Sequence, residues 1–319
     1  MPENKHMISV VVPVFNESES ISHLIDEIIK VMNLNKLNYE LIVINDGSKD
    51  STLEVLENLI SKFKQLIIIN LRKNYGQTAA IAAGFDNAKG EIIITLDGDL
   101  QNDPSDIPKL IESINEGYDL ICGWRFQRKD TLINRKIPSK IANKLIGIVT
   151  GIYLHDYGCS LKAFKKEVLE DIKLYGELHR FIPVLANIEG AKIKEIKVNH
   201  RSRKYGTSKY GIDRTFRVLM DLMTVWFMKK FLTRPMYVFG FIGIISIFSS
   251  LIISSYLIII KLFGENIGTR PLLIFALILG LAGIQLFSFG LLGELLMRTY
   301  HESQNRPIYR IREIKKFSQ

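Results

Sequence analysis

The sequence predicts an α/β domain, with a mostly parallel sheet and helices on both faces, followed by two membrane-spanning helices. Apolar, β-branched runs alternate with helical patterns from Ile8 to Cys122, the rhythm of a sheet covered on both sides. Short polar clusters, Asn16–Glu17, Asp46–Ser48 and Asp97–Asp99, follow three of those runs, at the strand ends where such sheets bind ligands. Met236–Ile260 and Pro271–Gly293 contain no charged residue, and each is long enough to cross a ~30 Å hydrocarbon core as a helix.

The elements read in order. Ile8–Val14 is a buried parallel strand rather than a signal peptide, because its apolar run starts late and contains strand-forming residues. A helical pattern follows to about Met32. Glu40–Asn45 is the second strand, ended by Asp46–Gly47–Ser48, and a helix runs from about Ser51 to Phe63. Leu66–Asn70 is the third strand. Gln77–Ala88 is Ala-rich and helical, and Gly90 stops it. Glu91–Leu96 is the fourth strand, ending in Asp97–Gly98–Asp99. Pro104 and Ser105 open another helix, and Asp119–Cys122 is the fifth strand.

The two uncharged stretches are joined by a short link containing Gly264, Asn266 and Gly268, so they form a hairpin. Lys229, Lys230 and Arg234 precede it, and Arg298, Arg306, Arg310, Arg312, Lys315 and Lys316 follow it. Positive flanks stay in the cytoplasm, so the N-terminal domain and both termini are expected there. The boundaries read as a domain over 1–210, a juxtamembrane amphipathic helix over 211–234, spans over 235–262 and 271–297, and a basic tail over 298–319.

Composition narrows the chemistry. In 319 residues, 47% are hydrophobic and 24% charged, which excludes a disordered chain. Two cysteines, Cys122 and Cys159, build neither a disulfide framework nor a zinc centre. A formal charge of +9 suits an anionic partner, and much of the excess flanks the spans, facing anionic membrane lipids. No GxGxxG follows the first strand, and no P-loop or GxSxG is present.

Asp97-Gly98-Asp99 is the sharpest motif. Two carboxylates one residue apart on a loop can share a hard cation, Mg²⁺ or Mn²⁺, with substrate phosphates. Gln101 could add an amide oxygen. Asp46 could accept hydrogen bonds from a base or ribose, although Asp-Gly is also an ordinary turn. Two basic clusters follow: Arg125, Arg128, Lys129, Arg135, Lys136 and Lys140, with Ser139 among them, then Arg201, Arg203, Lys204 and Lys209. Spacing leaves each as either a solvated face or an anion site. Asp156, in the His155–Ser160 loop, could be a base or a cap. His179 beside Arg180 reads as structural.

VVPVFNES, VINDGSKDST, NYGQTAAIAAGF, ITLDGDLQNDP, GWR, RKIPSK, DYGCSLKAF, GELHRFIP and YGTSKY occur in this order. Together they resemble the family-2 glycosyltransferases of the dolichyl-phosphate mannose synthase type, above all bacterial polyprenyl-phosphate (bactoprenol) glucosyltransferases with two C-terminal spans. The resemblance covers nearly the whole chain and implies a nucleotide-sugar-binding fold of the GT-A type. It implies that Pro13, Phe15, Glu17, Asp46 and Asp97 bind the nucleotide-sugar, and that Asp97, Asp99 and Gln101 hold Mg²⁺ or Mn²⁺. Phe15 stands where members often have Tyr. Arg125, Arg135 and Ser139 would hold the acceptor's phosphate. Asp156 matches an aspartate discussed as the base, and Arg203 would close over the diphosphate.

The implied reaction is inverting transfer of a single sugar, glucose from UDP-glucose, to polyprenyl (undecaprenyl) phosphate. The processive-synthase motif QxxRW is absent. Mannose, aminoarabinose or an N-acetylhexosamine are alternative sugars, and a non-catalytic membrane scaffold or translocation subunit is the alternative outside enzymes. A homo-oligomer is expected, and no nucleic-acid partner.

Overall fold

The computed structural model describes residues 6–126, 143–144, 146–148, 150–170, 172, 174, 178–202, 235–268, 270–303 and 309–317. The chain divides into two units, Met1–Val225 with Pro307–Gln319, and Trp226–Arg306.

The first unit is built on an eight-stranded sheet. Its strands are β1 (Ile8–Val14), β2 (Tyr39–Asn45), β3 (Leu66–Leu71), β4 (Ile92–Thr95), β5 (Leu120–Arg125), β6 (Lys162–Lys165), β7 (Ile193–Val198) and β8 (Ile311–Lys316). Their order across the sheet is β7-β5-β6-β4-β1-β2-β3-β8. β4, β1, β2 and β3 run parallel, and so do β5 and β7. β6 is antiparallel to β4 and β5, and β8 is antiparallel to β3. The five strands read from sequence are β1 to β5. β1 and β2 are buried along almost their whole length, as strands covered on both faces must be.

Three helices pack on these central strands in ways their sequences explain. In α1 (Ile21–Leu34) the buried Ile21, Leu24, Ile25, Ile28, Ile29 and Met32 form one helical stripe. α2 (Thr52–Ile60) buries Leu56 and Leu59. α3 (Gln77–Asn87) buries small residues, Ala79, Ala80, Ala83 and Gly84, instead of a large apolar stripe. A Cβ on Gly84 would lie 2.3 Å from Val11 Cγ1, so the helix sits unusually close to β1. That approach explains the alanine run, since larger side chains would push α3 off the sheet.

β8 was not legible as a strand, and the stretch read as a basic tail supplies it. Ile311–Lys316 covers the outer edge of β3, which would otherwise present unpaired backbone groups. Its charges have partners in the sheet unit: Asn70 Nδ2 donates to Glu313 Oε1 (3.2 Å), and Lys315 pairs with Glu57. Tyr309, buried, donates its hydroxyl to Asp86 Oδ2 (2.8 Å).

The second unit is a helical pair, Pro235–Leu262 and Pro271–Ser303. Within them Phe239–Leu262 and Pro271–Gly293 are long and apolar enough to cross a membrane, and only 11% of each window is buried. A soluble core helix would bury far more, so these helices are not a core pair. Small residues line their mutual contact. A Cβ on Gly243 would lie 2.7 Å from the Gly283 carbonyl oxygen, and Ser250 Oγ donates to the Ala276 carbonyl (2.7 Å). Close approach of this kind is how helices associate where the solvent is as apolar as their side chains.

Candidate active site

Strand order creates the site. β2 and β3 lie to one side of β1 and β4 to the other, so the chain switches direction between β1 and β4, and a crevice opens at their carboxyl ends. Hydrogen bonds hold the loops there in one body. Asp46 N–H donates to the Val14 carbonyl (2.9 Å), and Asn16 N–H donates to Ser48 Oγ (2.9 Å). Ser20, at the start of α1, spends its hydroxyl on the Gly98 carbonyl (2.9 Å) rather than on capping its own helix. Glu17 Oε2 lies 2.9 Å from the same hydroxyl, as an alternative acceptor for its proton, which places Glu17 beside the Asp97–Asp99 turn.

Asp97 and Asp99 sit at the end of β4. Asp97 Oδ1 accepts from Gln77 Nε2 (2.7 Å), and Asp99 Oδ1 accepts from Gln101 N–H (3.1 Å). Burial, then the charge of Asp99, push the Asp97 carboxyl up from 3.8 to about 6, against the pull of Ser160, Arg125 and Lys162. Among the described residues no group of three or more His, Cys, Asp or Glu could hold a metal ion alone. Two adjacent carboxylates, one with its proton affinity raised by the other, fit a divalent ion that shares its remaining positions with phosphate oxygens and water. Gln101 follows this turn, and its backbone carbonyl accepts from Arg201 N–H (2.8 Å).

Asp46 lies in the same crevice but is buried. Its carboxylate accepts from Tyr75 N–H (2.7 Å) and Gly76 N–H (2.9 Å), and so shapes the loop that leads into α3. Burial raises its pKa and those two amides lower it, leaving it above the ordinary value. Gly47 follows with φ +65°, and a Cβ there would lie 2.5 Å from the Lys73 backbone, so this turn requires glycine. Pro13 lines the cleft, and Phe15 is half-buried on the next turn of chain.

The cleft beside Asp97 is also lined by Gln77, Ser160, Lys162, His179 and Arg180. His179 Nδ1 is hydrogen-bonded to Thr78 Oγ1 (2.7 Å). Lys162 is buried and donates to the Cys159 carbonyl. Lys162 lies within DYGCSLKAF, but no role was assigned to it among the three lysines of KAFKK. Its position becomes meaningful only when β6 inserts between β4 and β5.

Arg125 ends β5. Its Nε donates to Asp156 Oδ2 (2.6 Å) and its Nη2 to Asp156 Oδ1 (2.8 Å), a bidentate pair. Burial pushes the Arg125 pKa down, and Asp156 more than offsets this, so it stands above its usual value. Asp156 Oδ1 also accepts from Gly158 N–H (3.2 Å). Arg135, Ser139 and Arg203 lie outside the described residues, as does the stretch over 211–234.

A polar crevice at the switch point of a mixed, mostly parallel sheet, with an Asp-Gly-Asp turn after its fourth strand, defines a GT-A-type nucleotide-sugar transferase fold. Residues 9–173 match the family model "Glycosyl transferase family 2", and the chain belongs to that family. It is 43% identical over 312 residues to a dodecaprenyl-phosphate galacturonate synthase of Rhizobium johnstonii, covering 96% of this chain and 92% of that protein. It is 35% identical to an undecaprenyl-phosphate 4-deoxy-4-formamido-L-arabinose transferase of Aeromonas hydrophila, covering 97% and 94%. Among solved structures it is similar in fold to glucosyl-3-phosphoglycerate synthase from Mycobacterium tuberculosis, solved with Mn²⁺ and uridine diphosphate. There the TM-score is 0.55 at 18% identity, covering 70% of this chain and 78% of that one.

The raised proton affinity of Asp97 has a measurable consequence. A carboxyl that binds its proton more tightly when folded adds stability below its unfolded pKa, and this is lost as pH rises from 3.8 through about 6. A cation held by Asp97 would compete for the same oxygens. Mn²⁺ affinity of the full chain with uridine diphosphate, followed by calorimetry, should therefore fall steeply as pH drops through about 6. Equal affinity at pH about 7.5 and about 5 would show that no proton on Asp97 competes with the ion in that range.

Proposed function

We propose that this chain transfers one sugar from a nucleotide-linked donor, a uridine diphosphate sugar, to a polyprenyl phosphate, with inversion at the sugar's anomeric carbon. The observation that carries the reading is a crevice in which paired carboxylates and cations stand close together. Asp97 and Asp99 suit the donor's diphosphate, and Arg125, within electrostatic reach of Asp97, suits the acceptor's phosphate. Both relatives are named for transfer to or synthesis on a polyprenyl phosphate, and the second unit has the length and composition to lie in a membrane, where such acceptors are. A dead scaffold would not need both carboxylates and the ordered Arg125 pair.

Pro13, Phe15, Glu17 and Asp46 serve the nucleotide in this reading, and Asp97, Asp99 and Gln101 serve Mg²⁺ or Mn²⁺. When bound, the ion supplies positive charge to the leaving diphosphate. Arg203 would add charge at that end. Arg125, Arg135 and Ser139 orient the acceptor phosphate, whose oxygen is already mostly ionised at neutral pH because its second pKa is near ~6.

For the sugar we rank a hexuronic acid first, on the 43% identity to a galacturonate synthase and on Lys162 and Arg180 in the cleft. Glucose from UDP-glucose is the second reading, supported by the ordered motifs shared with bactoprenol glucosyltransferases. A panel of radiolabelled uridine- and guanosine-diphosphate sugars against undecaprenyl phosphate tests all of this at once. Transfer of a hexuronate is the expected result. Transfer of glucose alone would reverse the ranking, and no transfer from any donor would end the reading.

Asp156 acts as an orienter of Arg125 in this proposal, not as a base. Both its oxygens accept hydrogen bonds from Arg125, and an acceptor that ionises near pH ~6 has little use for a base. Asp156→Asn should lose activity by about tenfold or more, as for a lost charged hydrogen bond, and by the same factor at every pH. A defect that shrinks steadily from pH ~6 to ~8.5, with saturating donor, would instead identify a base.

We also propose that both termini are cytoplasmic. The segments on both sides of the helical pair belong to one unit, and basic residues flank both outer ends. Cysteines introduced at Asn4 and Ser318 should resist impermeant maleimide in intact cells. Labelling of either from outside would refute the orientation.

A further inference from the structure

The loop that carries Asp156 is tied down by a residue that no motif singled out. Glu195 lies on β7, in register with Cys122 of β5. Its Oε1 accepts from Asp156 N–H (3.0 Å). Its Oε2 accepts from His155 N–H (3.1 Å) and is hydrogen-bonded to His155 Nδ1 (2.7 Å). Only 10% of the side chain is exposed. A shielded carboxylate accepting backbone N–H groups makes charge-assisted bonds, stronger than neutral ones.

What that tie positions follows from strand geometry. Successive side chains of β5 point to opposite faces of the sheet, so Trp124 and Arg125 face away from each other. The 155–156 loop takes hold of both. The His155 ring stacks on Trp124, with centroids 4.0 Å apart and planes 16° apart, and the Asp156 carboxylate grips Arg125 on the other side. The loop thus clasps the end of β5, and Glu195 anchors the clasp at its turning point. The Asp156 pair uses Nε and Nη2 of Arg125, so Nη1 lies outside the pair and its direction is set by where Asp156 stands.

We propose that Glu195 is a positioning residue. It fixes the backbone of residues 155 and 156 and, through Asp156, aims the Arg125 guanidinium at the acceptor's phosphate. The inference rests on the reading of Arg125 as an acceptor-phosphate contact. Misplacing such a group by about 1 Å can cost on the order of a hundredfold in rate, so a tie this far from the reacting atoms has leverage.

The test uses the full-length protein in lipid nanodiscs. Glu195→Ala should raise the KM for undecaprenyl phosphate about tenfold or more, with uridine diphosphate affinity by calorimetry unchanged. Glu195→Gln keeps an oxygen for Asp156 N–H and should fall between. If Glu195 acts through Arg125, the two effects overlap: in an Arg125→Ala background, Glu195→Ala should raise KM little further. A lipid-phosphate KM unchanged in both Glu195 variants, or effects that multiply, would overturn the proposal. Should Glu195→Ala not fold, Glu195→Gln decides by the same criteria. The clasp itself is read without turnover. The chain has two tryptophans, so Trp226→Phe leaves Trp124 as the reporter, and Glu195→Ala should shift its emission as His155 unstacks. No shift would refute the clasp. Should the wild type transfer to no polyprenyl phosphate, the function reading would fall, while the emission experiment would still decide the clasp.

Discussion

Asp97 and Asp99 crowd two negative charges onto one tight turn at the end of β4, and much of the surrounding architecture answers that crowding. Lys162 reaches the same place because β6 slots in between β4 and β5. Arg125 arrives at the end of β5, close enough to draw the Asp97 carboxyl down against its own desolvation. Both cations offset part of the cost of keeping Asp97 ionised there, because an uncompensated buried charge is costly. Gln77 and Ser20 hold the turn through hydrogen bonds, so it is fixed before any ligand comes. Preorganised charge of this kind needs no rearrangement when charge develops on a substrate.

The same arrangement separates three aspartates. Asp97 stands in the cleft with raised proton affinity, whereas Asp156 is committed to a buried guanidinium and Asp46 to backbone amides. All three follow or neighbour a glycine-containing turn in the sequence, and they look alike there. Their environments give each a different role. One suits binding charge, one directs an arginine, and one shapes a loop.

The chain leaves the sheet unit, forms an apolar helical pair, and returns to complete the sheet with β8. The pair associates through Gly243, Gly283 and Ser250, while large apolar side chains such as Phe241, Ile244 and Leu281 face outward. The returning strand is held by side-chain contacts to Asn70, Glu57 and Asp86, each in the sheet unit. Its loss would reopen the edge of β3.

By itself the sequence determined the central strands β1 to β5, the helices between them and the presence of two long apolar helices, because burial on one or both faces dictates which residues can stand there; the second helix runs on to Ser303, past the 297 at which it was read to end. β1 was legible to the residue; β5 runs on to Arg125, past the Cys122 at which its apolar run stops. The Asp-Gly-Asp turn was legible as well, since local spacing and position after a strand are enough to bring two carboxylates together. Strands β6, β7 and β8 were not, because KAFK, IKEIKV and IREIKK mix charge into short runs whose partners lie far away in the chain. Tertiary structure alone decided that Lys162 would stand beside Asp97, that Arg125 would pair with Asp156, and that Glu195 would hold that pair's backbone. Each of these is a long-range contact made by a charged side chain, whose favourable geometry exists only once the sheet order has brought distant strands side by side.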